Sequence, residues 1–301
     1  ETDDYVLFVH GWRMETWERR YFAETAYKRL FWAGFKGKFG FFSWPTEYIS
    51  SPILDPGNYN RSEFKAWISA TGLQNLLIDL NQKYLERVRI MAHSMGNIVA
   101  SEALRINSEK PSPSPLVARY VASQAASVAH AYDATVKLVN WRLITQTPEV
   151  YAAYPPTGGP YFAEINQSAK FVLHFYNSED HALSAWGLNQ ALKPHNSFDY
   201  EFVGLRFKKK CWTYDPIGFG FYILDFPQHK YMIYSYAAEA RSLGLGAEGE
   251  TGGPINKDKS LDLKTLTPAF SGGASDHSGQ YLDVLSRRHQ YWESILDRMG
   301  L

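Results

Sequence analysis

The stretch Arg89-Ile-Met-Ala-His-Ser-Met-Gly96 decides how this chain is interpreted. It overlaps the apolar run 88–91, which predicts a buried strand, and it leads into residues 95–106, whose periodicity predicts a helix. A serine on a tight turn between a strand and a helix projects its hydroxyl from the edge of a sheet. This context favours Ser94 as a nucleophile over Ser94 as a simple helix cap.

The turn around Ser94 has a steric requirement that the sequence meets. The residues two before and two after the serine must be small, and here they are Ala92 and Gly96. An alanine in place of the more usual first glycine is a tolerated departure. The same turn places the N–H of Met95, at the start of the helix, beside the serine. That N–H is the first predicted donor to a developing oxyanion.

The second oxyanion donor is expected in the loop after the first strand. Tyr5-Val-Leu-Phe-Val9 is a short apolar run typical of a strand buried on both faces, and His10-Gly-Trp12 follows it. Gly11 allows the backbone to approach a ligand closely, so the N–H of Trp12 is the predicted donor. The alternative for these residues is an ordinary tight turn.

Apolar runs alternate with helical patterns along most of the chain, which predicts an α/β fold with a mostly parallel sheet and helices on both faces. Ligands bind beyond the carboxyl ends of the strands in such sheets. The helices are expected to start at an N-cap Thr16 and at a capping box of Asn60 with Glu63, and the last helix lies within residues 281–299. The strands are predicted near residues 5–9, 39–43, 88–91, 117–124, 171–176 and 200–205.

One domain is expected to span residues 1–301, with residues 206–276 as a long insert within it. The first half of the insert is aromatic, and residues 244–275 are rich in Gly, Lys and Asp, typical of a long loop. We expect part of this insert to cover the site as a lid.

The acid of a triad should follow a later strand, and the histidine should come last in the chain. Asn177-Ser-Glu-Asp-His181 follows the strand at 171–176, and Asp180 is the preferred acid, with Glu179 as the alternative. Asp180 could instead cap the helix that begins near residue 182. His277 precedes the last helix, where the base belongs, while His93 is interpreted as structural.

Composition excludes several classes of function. Lysine plus arginine equals aspartate plus glutamate, so the net charge is zero and no basic patch points to nucleic acid. The single Cys211 forms no intramolecular disulfide, and no Cys/His cluster has zinc-site spacing, so no metal or cofactor is predicted. No apolar stretch reaches the roughly 18 residues of a membrane span. The chain is interpreted as a mature exported form or as a domain trimmed from a longer protein.

Five motifs together resemble a group of bacterial α/β-hydrolases of unassigned function. They are Phe8-Val-His-Gly-Trp12, Phe42-Ser-Trp-Pro45, Ala92-His-Ser-Met-Gly-Asn97, Tyr176-Asn-Ser-Glu-Asp-His-Ala-Leu183 and His277-Ser278. The resemblance covers residues 5–106 and the two later loops, and it is poor over residues 206–270. It implies an α/β-hydrolase fold with the same roles for Ser94, Asp180 and His277. That fold usually begins with two strands before the one at Tyr5, so either the sheet is abbreviated or more protein precedes residue 1.

A serine nucleophile suits esters, thioesters or amides, and a small-molecule or polymeric ester is the default substrate because an alkoxide leaves more easily than an amine. The alternatives are an amidase or peptidase on the same triad, and a non-catalytic binding module. Aromatic residues make up 16% of the chain. Trp44, Tyr48 and Trp141 are candidates for an apolar acyl or aryl pocket, with core packing as the alternative for each.

Overall fold

A computed structural model gives the arrangement of the chain. It describes residues 3–46, 48, 58–127, 132, 162, 164–177, 180, 183, 254–256, 260–263, 277–281 and 289–301. In the described residues, six strands form one sheet in the order β2-β1-β3-β4-β5-β6, and every pairing is parallel. The strands are β1 (Tyr5–Val9), β2 (Lys38–Phe42), β3 (Val88–His93), β4 (Val117–Ser123), β5 (Ala169–Tyr176) and β6 (Leu261–Asp262).

Helices cover both faces of the sheet, as the alternating pattern predicted. They are α1 (Thr16–Trp32), α2 (Asn58–Tyr84), α3 (Gly96–Ser108) and α4 (His289–Met299). Side chains alternate along each strand, so β1 sends Leu7 and Val9 into a core with α2 and α3. Val6 and Phe8 enter a second core with α1 and α4. The prediction of a parallel sheet between two helical layers is confirmed.

Helix α1 starts one residue earlier and helix α2 three residues earlier than the sequence predicted. The N-cap of α1 is Glu15 rather than Thr16, because the backbone N–H of Glu15 donates to the Glu18 carboxylate at 2.7 Å while the Glu15 side chain accepts in return. Helix α2 begins at Asn58, so the predicted capping residue Asn60 lies inside the helix.

The buried face of helix α1 is not the one that its aromatic residues indicate in the sequence. Trp17 and Tyr21 recur with Leu30 at helical spacing in the sequence, which predicts a shared buried stripe, yet Trp17 is 63% exposed and Tyr21 is also exposed. The residues that reach the core are the small or aliphatic Ala23, Ala26 and Leu30. The helix therefore carries aromatic side chains on its solvent side, which periodicity alone cannot separate from the core side.

Strand β6 lies in a segment that the sequence predicted as loop. Leu261 and Asp262 pair in parallel with the end of β5, and Ile255 forms a bridge with Val172. The described part of the glycine-rich half is thus an edge of the sheet rather than loop. The predicted strand at 200–205, nearly all of the helix at 182–192 and the remainder of the proposed lid fall outside the described residues.

Among the helices that the structure describes, none combines the length and the apolar character needed to cross a membrane.

Candidate active site

Ser94 occupies the turn between β3 and α3 and has a strained backbone. Its φ is +53°, a value that non-glycine residues rarely adopt. The turn is held by neighbours: the Ser94 N–H donates to the Ser123 carbonyl at 3.2 Å, and the Asn97 side-chain amide donates to the Ser94 carbonyl at 2.9 Å. Strain of this kind, over-determined by its surroundings, is common where a side chain must be presented for chemistry.

Glycine is required at two places around this turn because backbones nearly touch there. A Cβ on Gly96 would lie 2.3 Å from the carbonyl oxygen of His10 and 2.8 Å from that of Val9. A Cβ on Gly11 would lie 2.9 Å from the Cβ of Ser94. The loop after β1 and the start of α3 are therefore packed against each other directly beside the serine.

Ser94, His277 and Asp180 are brought together in a chain of hydrogen bonds. His277 Nδ1 lies 2.6 Å from Asp180 Oδ2, and His277 Nε2 lies 3.0 Å from Ser94 Oγ. A carboxylate only accepts, so Nδ1 carries the proton and Nε2 is left to accept from the serine hydroxyl. Asp180 is fully buried and Ser94 is 9% exposed, so solvent competes little with these bonds.

Asp180 both faces the histidine and caps a backbone N–H, because its two oxygens divide the tasks. Oδ1 accepts from the N–H of Leu183 at 3.0 Å, while Oδ2 faces His277. Capping a backbone N–H and facing His277 are thus compatible in one carboxylate, and the role of Asp180 as the acid stays a prediction. The alternative acid, Glu179, lies outside the described residues.

The loop that carries Trp12 is fixed by its neighbour His10. The backbone N–H of Trp44 donates to His10 Nε2 at 3.1 Å, so Nδ1 carries the proton and donates to the Gly11 carbonyl at 2.9 Å. In a trans peptide the C=O and the following N–H point in opposite directions. Anchoring the Gly11 carbonyl on His10 therefore turns the N–H of Trp12 away from His10.

Burial keeps His10 neutral and its tautomer fixed. Desolvation lowers the pKa of His10 to about 3, from an ordinary value of 6.5. The Trp44 ring stacks on the imidazole at 5.3 Å with an interplanar angle of 4°, and its indole N–H donates to the His10 carbonyl at 2.7 Å. Trp44 is fully buried behind the loop and is not among the residues that line the cavity at Ser94, so its place in a substrate pocket stays a prediction.

The other predicted pocket and oxyanion residues have mixed outcomes. Tyr48 is 46% exposed and also lies outside the lining of the cavity, and Trp141 lies outside the described residues. Met95 is the N-cap residue of α3, next to Ser94. Trp12 lines the cavity with Gly11 and Ser94. Both predicted oxyanion donors thus lie at the site, and their role remains a prediction.

His93 supports the histidine loop, a contact that the sequence did not reveal. Its Nε2 lies 2.9 Å from the backbone carbonyl of His277, which only accepts, so Nε2–H is the donor. Burial, followed by the proximity of His277, lowers the pKa of His93 well below its ordinary value. The contact of His93 with the backbone of His277 is in keeping with its interpretation as structural, which stays a prediction.

A cavity of about 340 Å³ opens onto Ser94 and His277. Trp12, Met14 and Phe22 give it an apolar wall, while Arg13 and Glu18 add charged groups. Within the described part of the chain, no cluster of three or more acidic, histidine or cysteine side chains could hold a metal ion.

Sequence reasoning missed two buried amides behind Asp180. Gln124 directly follows β4 and donates its Nε2–H to Asp180 Oδ2 at 2.7 Å. Gln280, three residues after His277, donates to Gln124 Oε1 at 2.8 Å. The one available signal was position, since Gln124 ends a strand at the carboxyl edge of the sheet where ligands bind.

Comparison with known proteins gives one family match. The model described as "Alpha/beta hydrolase of unknown function (DUF900)" matches residues 1–185, a range that contains Ser94 and Asp180 but not His277. No curated protein matches the sequence.

Three solved structures resemble parts of the chain. An extracellular alpha/beta-hydrolase from a Paenibacillus species, titled as sharing structural and functional homology with tobacco salicylic acid binding protein 2, is 11% identical, with a TM-score of 0.30 over 59% of this chain and 79% of that one. Phospholipase PlaB from Legionella pneumophila is 12% identical, with a TM-score of 0.29 over 58% and 39%. The Pyrococcus furiosus esterase Pf2001 is 16% identical, with a TM-score of 0.28 over 60% and 63%. TM-scores this low carry no argument about activity.

Proposed function

The chain belongs to the family of alpha/beta hydrolases of unknown function whose model matches residues 1–185, and on that premise we propose that it is a serine hydrolase of carboxylic esters. One observation carries the proposal. A continuous hydrogen-bonded path runs from Asp180 through His277 to Ser94, with heavy-atom distances of 2.6 and 3.0 Å. These distances lie within the reach that proton transfer between a nucleophile and its base requires.

The proposed reaction follows from the directions of these bonds. His277 Nε2 takes the hydroxyl proton as Ser94 Oγ attacks the carbonyl carbon, and Asp180 stabilises the imidazolium that forms. The N–H groups of Trp12 and Met95 hold the oxyanion. His277 then gives the proton to the leaving alkoxide, and water attacks the acyl-enzyme with His277 again as base.

An ester with an apolar acyl or aryl group is the substrate that the cavity supports best. Its wall includes Trp12, Met14 and Phe22, which favour apolar surface on the ligand. Its volume of about 340 Å³ lies at the small end of ligand sites and favours a compact group.

Labelling with a fluorophosphonate tests whether Ser94 is an activated nucleophile. We expect a single covalent adduct on the Ser94 peptide by mass spectrometry, and none on Ser94→Ala. A wild-type protein that stays unlabelled would contradict the proposal and favour a non-catalytic binding module.

A panel of matched esters and amides tests the bond that is cleaved. We expect kcat/KM for each ester to exceed that of the amide with the same acyl group, with apolar acyl groups preferred. A preference for amides would reassign the protein as an amidase or peptidase on the same triad.

A further inference from the structure

Two glutamine side chains lie buried behind the proposed triad, and the reaction as proposed makes no use of them. Gln124 is fully buried and Gln280 is 1% exposed. Gln124 Nε2 lies 2.7 Å from Asp180 Oδ2, the same oxygen that His277 Nδ1 contacts at 2.6 Å. Gln280 Nε2 lies 2.8 Å from Gln124 Oε1. The two amides therefore form a buried chain that ends on the carboxylate.

The direction of each bond in this chain is fixed by chemistry. The Asp180 carboxylate accepts, so the Gln124 group that faces it must be the NH₂, and the Gln124 carbonyl must face the other way. That carbonyl in turn requires the NH₂ of Gln280. Because Gln124 cannot flip without breaking both of its bonds, its NH₂ stays on Asp180 Oδ2 and favours one rotation of the carboxylate about its last torsion.

The backbone of Gln124 is itself strained. Gln124 has a φ of +42°, so it is in the left-handed region that non-glycine residues rarely adopt. Its N–H donates to the Phe175 carbonyl of β5 at 2.8 Å, which ties the strained turn to the neighbouring strand. Strained residues that persist are common at functional sites.

The outer end of this hydrogen-bonded chain lies in the loop that carries His277. Gln280 belongs to the short 3₁₀ turn Gly279–Tyr281, and its carbonyl accepts from the indole N–H of Trp292 in α4 at 3.3 Å. The turn follows His277 by two residues, so Gln280 links the loop of the base to the acid through Gln124. The acid and the base are thus held by one hydrogen-bonded network as well as by their own contact.

We propose that Gln124 and Gln280 are positioning residues for the His277–Asp180 pair, a role that rests on the function proposed above. Gln124 holds Asp180 Oδ2 toward His277 Nδ1 while Oδ1 stays on the Leu183 N–H. Gln280 keeps the Gln124 amide in the orientation that can donate.

Gln124→Glu tests the proposal because it keeps the size of the side chain and, once the new carboxyl is ionised, has no group that can donate to Asp180. We expect kcat to fall by about 10- to 100-fold with KM changed less than about twofold, since the chemical step and not binding depends on the aspartate. Gln167→Glu is the matched control, because Gln167 also donates to a carboxylate, that of Glu164 at 3.2 Å, but is exposed. The control should leave both constants unchanged.

The pH profile tests whether the side chain at position 124 is coupled to His277 through Asp180. Among the described residues, Asp180 and His93 are titratable groups in contact with His277, and burial keeps the pKa of His93 well below its ordinary value. In Gln124→Glu the new carboxyl loses its proton as pH rises, and its charge then stabilises the imidazolium of His277. The acidic limb of kcat/KM should therefore move to higher pH by about one unit.

Gln280→Met gives a second variant in case Gln124→Glu folds poorly. It removes only the outer donor, so we expect a smaller fall in kcat, and we expect the downfield NMR signal of the His277 Nδ1 proton to shift or broaden. Gln124→Glu with wild-type kcat and an unmoved acidic limb, or Gln280→Met with an unchanged proton signal, would overturn the positioning role.

The failure of this proposal is distinguishable from the failure of the hydrolase proposal. If wild-type Ser94 reacts with the fluorophosphonate and folded Gln124→Glu reacts equally fast, only the positioning role is wrong. If wild-type Ser94 does not react, the proposed function itself is wrong.

Discussion

The backbone of Ser94 adopts a conformation that destabilises the folded protein. A non-glycine residue in the left-handed region is destabilised by about 1–2 kcal/mol, and the φ of Ser94 is +53°. Another non-glycine residue at position 94 would therefore give a folded protein that is no more stable, and glycine would give a more stable one.

Replacing Ser94 with glycine and with alanine separates chemistry from strain. Both variants should lose essentially all turnover, by about 10⁴-fold or more. Ser94→Gly should be more stable than Ser94→Ala by about 1 kcal/mol because only glycine is relieved of the strain. Urea unfolding and ester turnover measure the two effects. Near-wild-type turnover in either variant would assign the nucleophile elsewhere.

His10 is expected to act on the rate through the Gly11–Trp12 peptide. His10→Phe keeps a ring against Trp44 but loses both nitrogens, so the Gly11 carbonyl is released and the N–H of Trp12 is no longer fixed. We expect kcat to fall by about 10- to 100-fold, less than the loss of a whole oxyanion donor.

His174→Phe is the control for the His10 variant, since it removes an equally buried imidazole from β5. Steady-state kinetics per folded molecule should show no change in kcat for the control. Equal losses in the two variants would mean that His10 acts only through stability.

Helix α3 packs so closely against β1 that the contact requires glycine, which has no side chain, at position 96. A Cβ at Gly96 would overlap the carbonyl oxygens of Val9 and His10, which are backbone atoms and cannot rotate away. The start of this helix and the end of the strand therefore fix the distance between the serine and the loop that carries Trp12.

Gly96→Ala should accordingly destabilise the fold by about 1–3 kcal/mol and lower kcat. Gly72→Ala is the matched control in the middle of α2, where the nearest atom to a new Cβ is 3.7 Å away in the Phe42 side chain. That change should stabilise the protein by up to about 1 kcal/mol, since alanine is the better helix former. Thermal unfolding of both variants measures the difference. Similar shifts in Tm would contradict the close-contact argument.

At the scale of the whole molecule, buried ionisable groups make stability depend on pH. Burial lowers the pKa of His10 to about 3 and that of His93 well below 6.5, so below about pH 6.5 the unfolded chain binds protons that the folded chain does not. Their contribution is complete above that pH and is lost as the pH falls. Burial raises the pKa of Glu102 to about 7, which acts in the opposite direction between about pH 4.5 and 7.

Because two histidines oppose one glutamate, the free energy of unfolding should decrease by on the order of 1 kcal/mol per pH unit as the pH falls from 6.5 to 4.5. Urea unfolding at three pH values in this window measures the slope. Glu102→Gln removes the opposing group and should roughly double it. A slope that stays the same in the variant would mean that Glu102 titrates normally in the folded protein.

The sequence predicted the parts of the molecule that local pattern controls. The strand–turn–helix context of Ser94 and the chain order of Asp180 and His277 were sufficient to choose three side chains that meet in space. β6 was not predictable, because two residues within a glycine-rich segment have no period to detect. The roles of His10 and Gln124 depend on tertiary contacts with Trp44 and Asp180, which no local pattern contains.

The 183 residues that separate Ser94 from His277 have a consequence for the protein while it is being made. At about 5–20 residues per second, a ribosome needs roughly 10–40 s to pass from the codon of the serine to that of the histidine. During that interval the nascent chain carries the proposed nucleophile, Ser94, without its proposed base, His277. Under the proposed function, hydrolytic capacity would then appear only after residue 277 has been translated, so the emerging polypeptide would meet cellular esters and leave them intact.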